Sequence, residues 1–206
     1  MCDTPIDFRH QAILREYVWG DGDPESVRQR AAEDMKRSAR VARKLGVEVV
    51  VGFTGSSIWP YLAMFPPVPT SVIEDGFEDF AARWNPILDA FDGEGVRFAH
   101  EVHPGELAYD YWSSVRTLEA IGHREAFGFN WDPSHMMRQN IHPAGLIRDF
   151  QDRLYHVDRK ATRMRPPNGR AGVLGSPLPS GDPRRRWDCF PSPPPALPSE
   201  PALPAP

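Results

Sequence analysis

The chain has 206 residues, room for one domain of ordinary size. A net charge of −4 with no clustered basic face excludes a protein built to grip a phosphate backbone, so no nucleic-acid partner is expected. Two cysteines near opposite ends, Cys2 and Cys189, exclude a disulfide framework and a thiolate zinc site, and no apolar run approaches the ~18 residues of a membrane span. No signal-peptide apolar region opens the sequence. The expected setting is cytoplasmic and reducing, with no membrane partner.

Residues 1–23 are mixed in character, with one apolar patch at Ala12–Leu14 that suits a short strand near Asp7–Leu14. Pro24 to Gly46 reads as a helix. Asp23 can cap it, Pro24 fits its first turn, and Val27, Ala31, Met35, Ala39 and Ala42 form one stripe. Val47–Phe53 is short and β-branched, a buried strand, and the small polar loop Thr54–Ser57 follows it. A helix over Ser71–Asp92 carries Phe77, Phe80, Trp84, Ile87, Leu88 and Phe91 at helical spacing, and Pro86 is expected to kink or break it. Val96–Val102 is the next strand and Ala108–Ile121 the next helix. Phe127–Trp131 is a strand, Pro143–Phe150 a short helix, and Arg153–Asp158 the last strand. From Cys189 to Pro206 the chain is mostly Pro, Ala, Ser and Leu, so residues 189–206 are expected to form a disordered, Pro-rich tail.

Helix and strand alternate from Pro24 to Asp158, which implies an α/β fold with a parallel sheet and right-handed crossovers, and the barrel-like domain is expected to span residues 1–188. A closed eight-fold barrel takes about 250 residues. Four clear strands therefore give roughly half a barrel or a small open sheet.

Functional residues of a parallel sheet collect at the carboxyl ends of its strands. Here those ends are Thr54-Gly55-Ser56, Glu101-Val102-His103, Asp132-Pro133-Ser134-His135 and His156-Val157-Asp158-Arg159-Lys160. Three successive strands deliver carboxylate and imidazole to one rim. Oxygen and nitrogen donors without thiolate suit a divalent metal such as Mn, Mg, Co or Zn. Glu101 is the first candidate, as metal ligand and as a base that takes a proton from the carbon next to a carbonyl. Asp132 is the second ligand. His135 either binds metal or holds a substrate oxygen. His156 and Asp158 lie two apart, so one can ligate while the other orients it. His103 and Lys160 are further candidates for substrate contact. Arg159, Lys160 and Arg163 are either a phosphate contact or a solvated basic loop.

Three segments carry a family likeness. Phe-Ala-His-Glu-Val-His-Pro (98–104), Gly-Phe-Asn-Trp-Asp-Pro-Ser-His (128–135) and Tyr-His-Val-Asp-Arg-Lys (155–160) resemble the sugar phosphate isomerase/epimerase family of the xylose isomerase-like TIM-barrel superfamily. That superfamily also includes ketose 3-epimerases, inosose dehydratases and endonuclease IV. The similarity covers most of Pro5–Asp188, with Gly-Phe-Thr-Gly-Ser-Ser (52–57) and Gly-Asp-Pro-Arg-Arg (181–185) included. It implies a partial (β/α)8 barrel, a divalent metal held by a Glu, an Asp, a His and a second Glu, and two Glu that exchange protons beside a carbonyl. By motif, Glu101 matches the first Glu, Asp132 the Asp, and His135 a substrate-binding His. The metal-binding His of many relatives falls at Asp158 rather than His156.

Two departures stand out. Relatives begin with further βα units upstream of the position matched by Met1. After Trp187-Asp188 they continue to a last strand bearing the second Glu, where this chain turns to Pro-Ser-Pro-Pro-Pro. The chain is therefore expected to be a fragment, frameshifted at its C-terminus, with unpaired sheet edges that call for a partner or an oligomer. The implied activity is isomerisation or epimerisation of a sugar, sugar phosphate or cyclitol. The alternatives are an inosose-type dehydratase, an endonuclease IV-like nuclease, and an inactive truncated product.

Overall fold

A computed structural model describes residues 2–63, 65–165, 172 and 178–191. Helix α1 (Glu16–Trp19) precedes α2 (Pro24–Leu45), and strand β1 (Val49–Gly52) follows. Next come α3 (Thr70–Glu94), β2 (Arg97–Glu101), α4 (Tyr111–Ala120), β3 (Phe127–Trp131), α5 (Pro133–Arg138) and α6 (Pro143–Asp149). Strand β4 (Leu154–Val157) leads into a hairpin of β5 (Lys160–Met164) and β6 (Trp187–Pro191).

Strands β1 to β4 form one parallel sheet in sequential order. The sheet curls, bringing β1 and β4 toward each other across its concave face. Such a curled (β/α)-type sheet is half of a TIM barrel, and its four carboxyl ends share one rim. Among the described residues no helix is long and apolar enough to cross a membrane.

The local signals for α2 act as their chemistry dictates. The Asp23 carboxylate accepts the Ser26 amide at 2.9 Å, Pro24 opens the helix, and Gly46 closes it with φ at 70°. Helix α3 supplies the core. Phe80, Trp84, Ile87, Leu88 and Phe91 are fully buried, and Trp84 packs 4.7 Å from Phe98 of β2. Phe80 meets the edge of Phe127 of β3 at 6.2 Å. Each such ring removes roughly 150–250 Å² from water, so α3 is pinned to the sheet's convex side.

That packing explains one departure from expectation. Pro86 neither breaks nor ends α3, which runs unbroken from Thr70 to Glu94. The lost backbone bond is outweighed by the aromatic face buried on both sides of it. A second correction concerns the N-terminus: the region around Asp7–Leu14 holds a 3-10 turn (Phe8–Ala12), not a strand. There Asp7 accepts the Arg9 amide at 2.9 Å, and this local bond favours a turn. The hairpin β5–β6 is a third. Its strand β6 carries Cys189, Phe190 and Pro191, where the tail was expected to begin, and pairs antiparallel with β5. The tail expectation for 192–206 lies outside the described residues.

Two positions, Gly128 and Asp3, are set by their surroundings. A Cβ on Gly128 would come 2.4 Å from the Arg153 carbonyl oxygen and from the Tyr155 ring, so only glycine lets β4 approach β3 there. Asp3 is buried, and among the described residues neither of its carboxylate oxygens has a hydrogen-bond partner. Burial and the neighbouring Asp79 carboxylate push its pKa up to about 8.

Gly128→Ala should lower stability by about 1–3 kcal/mol in urea melts by wedging β4 away from β3; an unchanged midpoint would mean that the strands part without cost. For Asp3 the sign follows from its raised pKa. The folded chain keeps a proton that the unfolded chain releases near the ordinary 3.8, so its contribution is full below that value and lost as pH rises through about 8. Asp3→Asn should therefore melt close to the wild type at pH 5 and above it at pH 9, the gap widening by about 1–3 kcal/mol. Parallel pH profiles for the two proteins would contradict this.

Candidate functional site

Strand β2 ends at Glu101, whose side chain is almost fully buried at the rim of the concave face. Asp132 directly follows β3 and caps α5. One of its oxygens, Oδ1, accepts the Ser134 amide at 2.9 Å, which aims the other, Oδ2, across the rim. Pro133 at the first helical position makes this turn abrupt. His135 lies in the same short helix, and its Nε2 stands 3.0 Å from Glu101 Oε1 and 3.2 Å from Asp132 Oδ2.

Lys160 opens β5 and reaches the same oxygens. Its Nζ donates to Asp132 Oδ2 at 2.8 Å, Asp158 Oδ2 at 3.2 Å and Glu101 Oε1 at 3.3 Å. Burial opposes ionisation of Asp132, but the hydrogen bonds from His135, Lys160 and Ser134 prevail and hold its pKa well below the usual carboxylate range. Burial likewise works against the His135 imidazolium, and the bonds to Asp132 and Glu101 overcome it, so that ring is more basic than usual. His103 is the opposite case. Its ring centroid lies 4.0 Å from that of His135, and burial together with this neighbour lowers its pKa to about 4, leaving it neutral near pH 7. Phe53 packs edge-on against His103 and forms an apolar wall beside it.

The rim residues anticipated from sequence fall into an inner and an outer group. One donor atom each from Glu101, Asp132 and His135 lies within 4.8 Å of the others. Asp158 joins this group through the Lys160 ammonium and through Asn130, whose amide donates to Asp158 Oδ2 at 3.1 Å. His156 stands outside it. It donates from Nδ1 to Asn130 Oδ1 at 3.0 Å and is 4.0 Å from Asp158. The loop Thr54–Ser57 is tied to the segment after β2, since Glu106 accepts the Gly55 amide at 2.6 Å.

Residues outside the anticipated set also support the site. Asn130 links His156 and Asp158, and its signal in the sequence is a polar side chain inside the apolar run 127–131, which must find a partner when buried. Thr162 of β5 donates to the Ser134 carbonyl at 2.9 Å, and the Arg138 guanidinium lies 4.1 Å over the Trp187 ring. The hairpin thus braces the helix that carries His135.

The inner group suits a divalent cation by donor type and by spacing, with two carboxylates and one imidazole converging. One element of a finished metal site is missing among the described residues. His135 Nδ1 is buried with no acceptor to orient the ring.

Comparison with known proteins agrees with this architecture. A family model described as xylose isomerase-like TIM barrel matches residues 6–187. The chain is 25% identical over 154 residues to the uncharacterized protein YfiH of Bacillus subtilis, covering 69% of this chain and 49% of that protein. It superposes on the 3-keto-D-glucoside 4-epimerase YcjR of E. coli with a TM-score of 0.54 at 13% identity, covering 65% of this chain and 51% of the other. The probable 3-DHS dehydratase AsbF of Bacillus anthracis gives 0.53 at 16% identity, over 64% of this chain and 44% of the other. At these identities the structural likeness is one of fold. The chain spans about half the length of the relatives it matches. The chain belongs to the xylose isomerase-like TIM barrel family.

Proposed function

We propose that this rim is the site of a metal-dependent isomerase or epimerase that moves a proton on the carbon next to a carbonyl of a small sugar, sugar phosphate or cyclitol. The reading rests on the convergence of Glu101, Asp132 and His135 at the carboxyl ends of adjacent parallel strands. It is also the chemistry that the resemblance to sugar phosphate isomerases and epimerases implies. Glu101 and Asp132 would hold the ion, with His135 or Asp158 completing the set. A bound divalent ion supplies electrophilic polarisation of the substrate carbonyl.

The chain's own residues do the rest. Glu101 takes the proton from the adjacent carbon and returns it to the former carbonyl carbon, which completes an isomerisation; an epimerisation also needs a donor on the opposite face, the part played by the second Glu in the family that the chain resembles. His103, neutral at pH 7, and His135 hold the substrate's hydroxyl and carbonyl oxygens. Phe53 covers the apolar face of the sugar ring, as aromatic walls in such pockets do.

A dehydratase of the same substrate class is the second reading, and His135 favours it. Where Asp158 rather than His135 completes the metal set, the His135 ring beside these two carboxylates can protonate a departing hydroxyl after the same proton abstraction.

Thermal melts with and without Mn give the first test. Mn should raise the melting temperature of the wild type and leave a Glu101→Gln/Asp132→Asn double variant unmoved; equal shifts in both would place the ion elsewhere. Proton transfer is read by solvent deuterium entering candidate ketoses in Mn-loaded protein. Glu101→Gln should slow that exchange by at least about a hundredfold. Exchange that proceeds as fast in Glu101→Gln would remove Glu101 from the role of base, and loss of a hydroxyl in the product would select the dehydratase.

A further inference from the structure

We propose that Lys160 is a built-in cation that holds the metal position closed, so that a divalent ion binds only as the lysine swings out. This rests on the metal reading given above. The argument is one of shared oxygens. Lys160 Nζ contacts Glu101 Oε1 and Asp132 Oδ2, the same two atoms that converge with His135 Nε2. A third carboxylate, Asp158, approaches the ammonium from the outer side at 3.2 Å. An ion held by Glu101 and Asp132 would draw on the same carboxylates. Two positive charges at contact distance on the same oxygens repel each other, so ion and ammonium compete for them.

The surroundings decide which partner gives way. Asp132 has no side-chain exposure and Glu101 has 9%, whereas Lys160 has 43%. The carboxylates are fixed by their burial, and Oδ1 of Asp132 is also held by the cap on α5. The lysine backbone is held by the pairing of β5 with β6, but its four-carbon stem lies along the open rim and has a path into water. Ordinary surface ion pairs are nearly indifferent to stability. This one differs, because without a cation the buried Asp132 carboxylate would face Glu101 and Asp158 with only His135 to balance them. The ammonium therefore keeps the rim assembled in the absence of metal and competes with the metal for it.

The test compares Mn binding by titration calorimetry in the wild type, Lys160→Met and Lys160→Arg. Removing the charge should tighten Mn binding at least about tenfold, the low end of what changes beside metal ligands do, whereas the arginine should bind no tighter than the wild type. In parallel, Lys160→Met should melt below the wild type without Mn and regain the difference with saturating Mn. If Lys160→Met is unfolded without metal, Lys160→Gln is titrated in its place. Equal Mn affinity in the wild type and the neutral variants would overturn the competition while leaving the metal reading intact. Failure of every protein to bind Mn, the neutral variants included, would sink both.

Discussion

Asp132 is a carboxylate with no exposure to water, placed where a strand becomes a helix. A charge buried so completely must be matched on both oxygens, or the group would neutralise. One oxygen is matched by the backbone of α5, which thereby acquires its starting point. The other is matched by His135 and Lys160, which come from the helix itself and from the hairpin beyond β4. The direction of α5, the placing of His135 and the docking of β5 all follow from satisfying this one group.

The scaffold that makes this burial possible lies on the opposite face. Trp84, Phe80 and Phe91 of α3 clamp Phe98 and Phe127, so neighbouring strands present their carboxyl ends at one level. With β2 and β3 in register, Glu101 stands beside Asn130, and Asp132 follows two residues later. Gly128 lets β4 close on β3, which brings Asp158 and Lys160 to the same rim. Apolar packing thus sets distances among polar groups with which it has no contact.

Charge at the rim is finely divided. Glu101, Asp132 and Asp158 meet one ammonium and one imidazole, and a neutral histidine, His103, sits behind. The two histidines illustrate how little separates opposite outcomes. His135 touches two carboxylates and becomes more basic, while His103, a ring away and with no carboxylate hydrogen bond among the described residues, is driven neutral by burial. Two adjacent rings on one wall of the rim are thus shifted in opposite directions.

Much of this was legible in the residues taken in order. The alternation of helix and strand, the apolar stripe of α3, the cap at Asp23 and the acid-Pro junction at Asp132 are local signals, and each describes a feature fixed within a few residues of itself. Glu101, Asp132, His135 and Asp158 could be named as rim residues because parallel strands all end at the same face. What sequence alone misjudged was the outcome of competition between distant parts. Pro86 stays inside α3 because aromatic burial outweighs one lost hydrogen bond, and the segment near Asp7–Leu14 turns because a local carboxylate bond wins over a weak strand pattern. Strands β5 and β6 are short and lack a clear alternating pattern, and 160–164 and 187–191 pair because they meet in space. The sequence by itself determined which side chains reach the rim. Only the tertiary structure decided which of them touch: that His135 and Lys160 converge on the same two oxygens while His156 turns to Asn130, because those distances depend on how strands and a hairpin far apart in the chain are packed together.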